Sequence, residues 1–163
     1  MSARTQHERI PDRVSALSLK LARCAVAAWV CLIFFSSTSL AGEWSEQGFR
    51  FLSRHFLTRV DTGSPSYDWI HFLAAKSVHV TLFCVLAILL WRALPTVRPK
   101  VLIILMSGAI VGSCSEFLQS FFPGRDPAVR DVLINIGGTA AGIALCGVMS
   151  RHHGSAKGIR TPI

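Results

Sequence analysis

Residues 101–149 read VLIILMSGAIVGSCSEFLQ (101–119), SFFPGRDPAVR (120–130) and DVLINIGGTAAGIALCGVM (131–149). Two apolar runs of nineteen residues flank an eleven-residue loop that holds Pro123, Gly124 and Pro127. At 1.5 Å per residue such a run forms a helix about 28 Å long, close to the roughly 30 Å hydrocarbon core of a bilayer. Hydrocarbon offers no partner to backbone polar groups, so each run is predicted to be a membrane-spanning helix. Charge enters these runs only beside the loop, as Glu116 and Asp131. Consecutive spans run in opposite directions, which puts both acids at the same side of the bilayer.

Outward from this pair the pattern repeats. SVHVTLFCVLAILLWRAL (77–94) is a further span, with Trp91 and Arg92 where an interfacial anchor belongs and Pro95 and Pro99 beyond it. The run from Leu21 to Leu40 is the first span in chain order. The alternative there is a cleaved signal peptide with Ser39-Leu40-Ala41 as its small-residue site. The fold expected is all-α, an integral membrane bundle of four transmembrane helices over 21–40, 77–94, 101–119 and 131–149. A basic N-terminus (1–20) precedes the membrane domain (21–150), and a basic, disordered tail (151–163) follows it.

Between the first two spans lies EWSEQGFRFLSRHFLTRV (43–60). Phe49, Leu52, Phe56 and Val60 recur at helical spacing, while Glu46, Arg50, Arg54 and Thr58 take another face. This is the pattern of an interfacial amphipathic helix, or of a surface helix packed over its own protein. Gly63, Ser64 and Pro65 end it.

Composition agrees with a membrane protein. Of the 163 residues 51% are hydrophobic and 16% charged, against about 25% charged in soluble domains. The mean hydropathy is +0.46. The net charge of +8 sits in short segments between apolar runs, without a basic helix interleaved with aromatics, so anionic lipid heads and cytoplasmic loops explain it and nucleic acid is not an expected partner. With both termini inside the cytoplasm, eleven Lys and Arg lie on that side and six on the other. Membrane lipids are the expected partners. Cys24, Cys31, Cys84, Cys114 and Cys146 fall in or beside apolar runs with no CxxC pair, as small packing residues do.

Ionisable groups in a span need a reason. Lys76 and His79 open the 77–94 span, Glu116 and Gln119 close the next, and Asp131 and Asn135 open the last, with Arg125 in the connecting loop. Alternating helix directions bring all of these to one depth. Lys76, His79 and Phe83 share a face at i, i+3, i+7; Asp131, Asn135, Gly138 and Gly142 share one at i, i+4, i+7, i+11. Gly108, Gly112 and Glu116 repeat every fourth residue. The GxxxG pairs Gly108/Gly112 and Gly138/Gly142 let backbones approach closely, so these faces are expected to meet inside the bundle. Two readings stand for the charges: an ion-pair network that sets helix register, or a polar pocket opening to the outer face. A metal site from His79, Glu116 and Asp131 lacks HExxH or clustered His spacing, and no cofactor motif is present. Ser115 and Ser120 have no nucleophile arrangement around them.

The series EFLQSFFPGRDPAVRDVLINIGGTAAG (116–142), with Lys76-x-x-His79 upstream, resembles the signature of VanZ-like membrane proteins. The ordered elements are Glu-x-x-Gln at a helix end, an aromatic-Pro-Gly-Arg loop, Asp-Val-x-x-Asn and a glycine-rich helix. The similarity covers about 25–150, with the specific motifs within 76–142. It implies that Lys76, His79, Glu116, Gln119, Arg125, Asp131 and Asn135 form the site. Where the family often has Tyr in the helix after Lys-x-x-His, this chain has Phe83, so no phenolic hydroxyl serves there. The namesake lowers susceptibility to the glycopeptide antibiotic teicoplanin, and most members have no assigned reaction. The resemblance therefore implies an envelope lipid or a glycopeptide as ligand class, with antibiotic resistance by analogy alone. An enzyme acting on a lipid-linked envelope substrate, with His79 or Glu116 as general acid or base, and a purely structural subunit are the alternatives.

Overall fold

The computed structural model describes residues 9–56, 65–94, 98–123 and 127–157. Among them every element is a helix: α1 (Arg9–Ser36), α2 (Ser39–Phe56), α3 (Pro65–Ala93), α4 (Lys100–Gln119) and α5 (Val129–Lys157). Four are long and apolar enough to cross a bilayer, over Ala16–Ser36, Pro65–Ala93, Lys100–Gln119 and Val129–Arg151. The all-α four-span architecture expected from the sequence is what the chain adopts.

Helix boundaries differ from the predicted spans where polar residues, invisible to hydropathy, continue or stop a helix. The first apolar run is split. Ser37 and Thr38 donate their amides to the Phe34 and Phe35 carbonyls, 3.1 and 3.0 Å away, which closes α1. Thr38 Oγ1 then accepts the Ala41 amide at 3.4 Å, the N-cap geometry that starts α2. α3 begins at Pro65, twelve residues before the predicted span, with proline at the first helical position and Asp68 in the first turn. Its 29 residues measure about 44 Å, so its first turns project beyond a hydrocarbon core of about 30 Å. α5 continues past Met149 to Lys157, because extending an anchored helix adds a hydrogen bond for each residue fixed. Residues 158–163 of the predicted tail, and Thr58 and Val60 of the predicted amphipathic helix, lie outside the described residues.

α3 is the central helix, packed against α5, α1 and α4, and α4 also packs on α5. Ile33, Phe83 and Leu86 form the buried apolar cluster, with Trp29, Leu82 and Val111 around it. Trp29 Nε1 donates to the Leu82 carbonyl at 2.8 Å, tying α1 to α3. Ala87, Ala93, Ile104 and Cys146 are buried as well, together with a polar set: Ser37, Ser115, Glu116, Gln119, Asp131, Asn135 and Thr139. Large apolar side chains such as Leu102, Met106, Ile110, Leu133 and Leu145 point outward. Lipid tails are as apolar as leucine, so a membrane bundle gains from close backbone packing and interhelical hydrogen bonds inside, and leaves its leucines to the lipid.

α2 lies beside the projecting start of α3. Phe49 meets Tyr67 and His71 edge-on, with ring centroids 5.5 and 4.8 Å apart. Phe51 and Leu52 stay exposed.

A polar end where three helices meet

The site grows out of helix registers. α3 and α5 run parallel, and their polar faces meet as rungs. Lys76 Nζ donates to Asp131 Oδ2 at 2.5 Å, and His79 Nδ1 contacts Asn135 Oδ1 at 3.2 Å. The His79 tautomer sets which of the two groups donates. Below these rungs the glycines take over. A Cβ at Gly138 would come 2.6 Å from the Val80 carbonyl oxygen, and one at Gly142 would fall on the Cys84 carbonyl. The helices therefore touch backbone to backbone, and that closeness is what lets the side chains above them reach across.

α4 runs antiparallel to α5. A Cβ at Gly108 would collide with the Thr139 side chain, and one at Gly112 would sit 3.2 Å from Asn135 Cβ. Each step of four along α4 matches a step of four back along α5. The next step brings Glu116 to the level of Asp131. Glu116 Oε1 accepts from Gln119 Nε2 at 3.3 Å, and Oε2 accepts the Ala128 amide at 3.4 Å, so this acid also fastens the start of α5.

Six of the seven sequence-derived site residues thus lie at one end of the bundle, as two interhelical rungs and one pair along α4. Arg125 lies outside the described residues. Glu116, Gln119, Asp131 and Asn135 are buried, and Lys76 and His79 half-buried. His79, Glu116 and Asp131 each turn to a different partner, and among the described residues no three His, Cys, Asp or Glu converge on a point. Among the described residues, two buried side-chain atoms are left without a hydrogen bond, Asp131 Oδ1 and Asn135 Nδ2. One is an acceptor and the other a donor, and they sit one helical turn apart.

Four contributing residues escaped the sequence reading. Thr139 fills the space that Gly108 leaves and donates to the Asn135 carbonyl at 2.9 Å. It lies four residues after Asn135, so the face drawn through Asp131 and Asn135 already pointed to it. Ser37 and Ser115 share a buried hydrogen bond of 2.7 Å between α1 and α4. Arg130 places Nε 3.8 Å from Asp131 Oδ1 and lies over the Phe72 ring, which Lys76 also faces.

Four apolar helices joined at one end by buried polar rungs define a polytopic α-helical membrane protein. The chain belongs to the VanZ/LLP1 family, whose model matches residues 24–150, more than three quarters of its length. The family read from the Lys76-to-Gly142 series is borne out. No curated protein and no solved structure matches the chain.

Proposed function

We propose that the polar end is a binding site for the anionic group of an envelope lipid or a glycopeptide, opening to the outer face of the cytoplasmic membrane. The observation that carries this reading is the pair of unbonded buried atoms, Asp131 Oδ1 and Asn135 Nδ2, beside the Lys76 ammonium. Burying a polar atom without a partner costs about 1–3 kcal/mol, so the arrangement favours a guest that supplies both a hydrogen-bond acceptor and a donor. A phosphate or carboxylate next to hydroxyl or amine groups has that character. Arg125, in the aromatic-Pro-Gly-Arg loop, is the residue assigned to bind the anion in two-pronged fashion. The excess of Lys and Arg at the opposite end supports the outward orientation.

The competing reading, that the charges only hold helices in register, is favoured by the Lys76–Asp131 pair, which joins α3 to α5. One experiment separates the two. A deletion strain is profiled against envelope-targeting antibiotics and complemented with wild type, Arg125→Gln, the single variants Lys76→Asp and Asp131→Lys, and the exchange Lys76→Asp/Asp131→Lys. Ligand binding requires Arg125→Gln to lose complementation at undiminished abundance and insertion, and the exchange to fail as well. Full complementation by Arg125→Gln overturns the binding reading, and rescue by the exchange of either single variant's defect establishes the packing one.

A further inference from the structure

The opposite end of the bundle carries a second feature, remote from the rungs. A cleft of about 930 Å³ opens between α1, α3 and α4, walled by Ala22, Ala25 and Leu89 and rimmed by Trp91, Arg92 and Lys100. Lys100 Nζ lies over the Trp91 ring, 4.2 Å from its centroid, and Arg92 is exposed. Among the described residues, no Asp or Glu lines the cleft. The volume falls in the roughly 300–1,000 Å³ range of clefts that enclose whole small molecules. The cleft is too large for a bare ion alone, and its walls are too apolar to hold one.

From this charge complementarity and shape we infer that the cleft is a binding site for an anionic glycerophospholipid. The headgroup phosphate sits between Arg92 and Lys100, and the upper acyl chain lies along the alanine wall of α1. Trp91 places the site at the depth where headgroup meets hydrocarbon, since indole rings prefer that boundary. Two cations, with no acid among the described lining residues, select against zwitterionic lipid, whose own ammonium gains nothing there. The first turn of α4, uncapped by any side chain and free of acids, adds its dipole's positive end at Lys100. The inference is independent of the function proposed for the polar end, and its failure leaves that proposal untouched.

The test is native mass spectrometry of the full chain released from vesicles of phosphatidylcholine alone or mixed with phosphatidylglycerol. Wild type is expected to retain one phosphatidylglycerol in preference to phosphatidylcholine. Each cation near an anionic headgroup contributes about five-fold, so Arg92→Gln/Lys100→Gln should weaken retention about 30-fold and Arg92→Gln alone about five-fold. The pair Lys20→Gln/Arg151→Gln removes the same charge from exposed positions outside the cleft and should leave retention within about two-fold. Ala25→Trp fills the wall with both cations in place and should displace the lipid. Equal losses in the two charge pairs, indifference to Ala25→Trp, or complete displacement by excess inorganic phosphate would each overturn the site. Thermal melting of every variant separates lost binding from lost fold, and the single Arg92→Gln decides where the double variant unfolds.

Discussion

Gly137 and Gly138 are neighbours on α5 with opposite surroundings. A Cβ at Gly137 meets nothing within 4 Å, whereas one at Gly138 meets the Val80 carbonyl oxygen at 2.6 Å and Val80 Cα at 3.0 Å. Both substitutions to alanine bring the same gain in helix propensity, up to about 1 kcal/mol, so the difference between them isolates the contact. Gly137→Ala is expected to melt at or slightly above the wild-type temperature in detergent. Gly138→Ala should be destabilised by about 1–3 kcal/mol, because a backbone carbonyl cannot swing aside as a side-chain tip can. Equal melting of the two would mean that α3 and α5 do not approach as closely as described. The Lys76–Asp131 rung makes a second residue-scale case. Asp131 is buried, with 7% of its side chain exposed, so Lys76→Met leaves a buried carboxylate whose remaining cation among the described residues is Arg130. Removing one partner of a buried pair costs about 3–5 kcal/mol, while replacing both by apolar groups of similar volume is close to neutral. Lys76→Met should therefore melt well below wild type, and Lys76→Met/Asp131→Leu should recover most of the loss. A double variant as unstable as the single would show that the rung contributes more than the pairing of its two charges.

Among the elements, the parallel pair α3 and α5 was the most legible in sequence. Lys76 and His79 on one helix and Asp131, Asn135 and Gly138 on the other announce a shared face by period alone, and charge marks which face it is. What escaped was uncharged or outside the hydrocarbon. Thr139, Ser37 and Ser115 carry hydroxyls that a helix can satisfy on its own carbonyls, so nothing in their residue type demands a partner on another helix. The opposition of Gly108 and Thr139 is a match of small to branched that exists only once the antiparallel register of α4 and α5 is known. The first twelve residues of α3 escaped because hydropathy detects the bilayer and not the helix. Tyr67, Asp68, Trp69 and His71 are poor residues for lipid yet acceptable ones for a helix rising out of it. That projecting segment is what α2 leans on, through Phe49 against Tyr67 and His71. Aromatic contacts of this kind add about 0.5–1.5 kcal/mol beyond area burial. Phe49→Ala is expected to raise amide exchange across α2 by roughly two- to ten-fold, which is that energy expressed as a local opening equilibrium, while α5 stays protected. Unchanged exchange in α2 would mean that the bilayer surface, and not α3, holds it.

At the scale of the whole molecule the distribution of residues is inverted relative to a soluble domain, and the inversion has a direction along the membrane normal. Leucine, methionine and phenylalanine cover the outside, while hydroxyls, amides and paired charges lie within. Along the axis, acids and their partners gather at the start of α3, the end of α4 and the start of α5. Arg92, Arg98, Lys100, Arg151 and Lys157 mark the other end. The count of eleven Lys and Arg against six predicts that this second end faces the cytoplasm. The bias is opposed by Arg50, Arg54 and Arg59 between the first two spans, so it calls for a direct measurement. With a cytoplasmic C-terminus, a fluorescent protein fused after Ile163 is expected to mature and fluoresce. Alkaline phosphatase at that point should then be inactive, and the same enzyme inserted within 120–130 should be active. The reverse pattern would turn the Lys76–Asp131 end toward the cytoplasm. The rungs would keep their geometry, but their guest would have to be a ligand of the inner leaflet or the cytosol, and an outer-leaflet envelope lipid or an external glycopeptide could no longer reach Asp131 and Asn135.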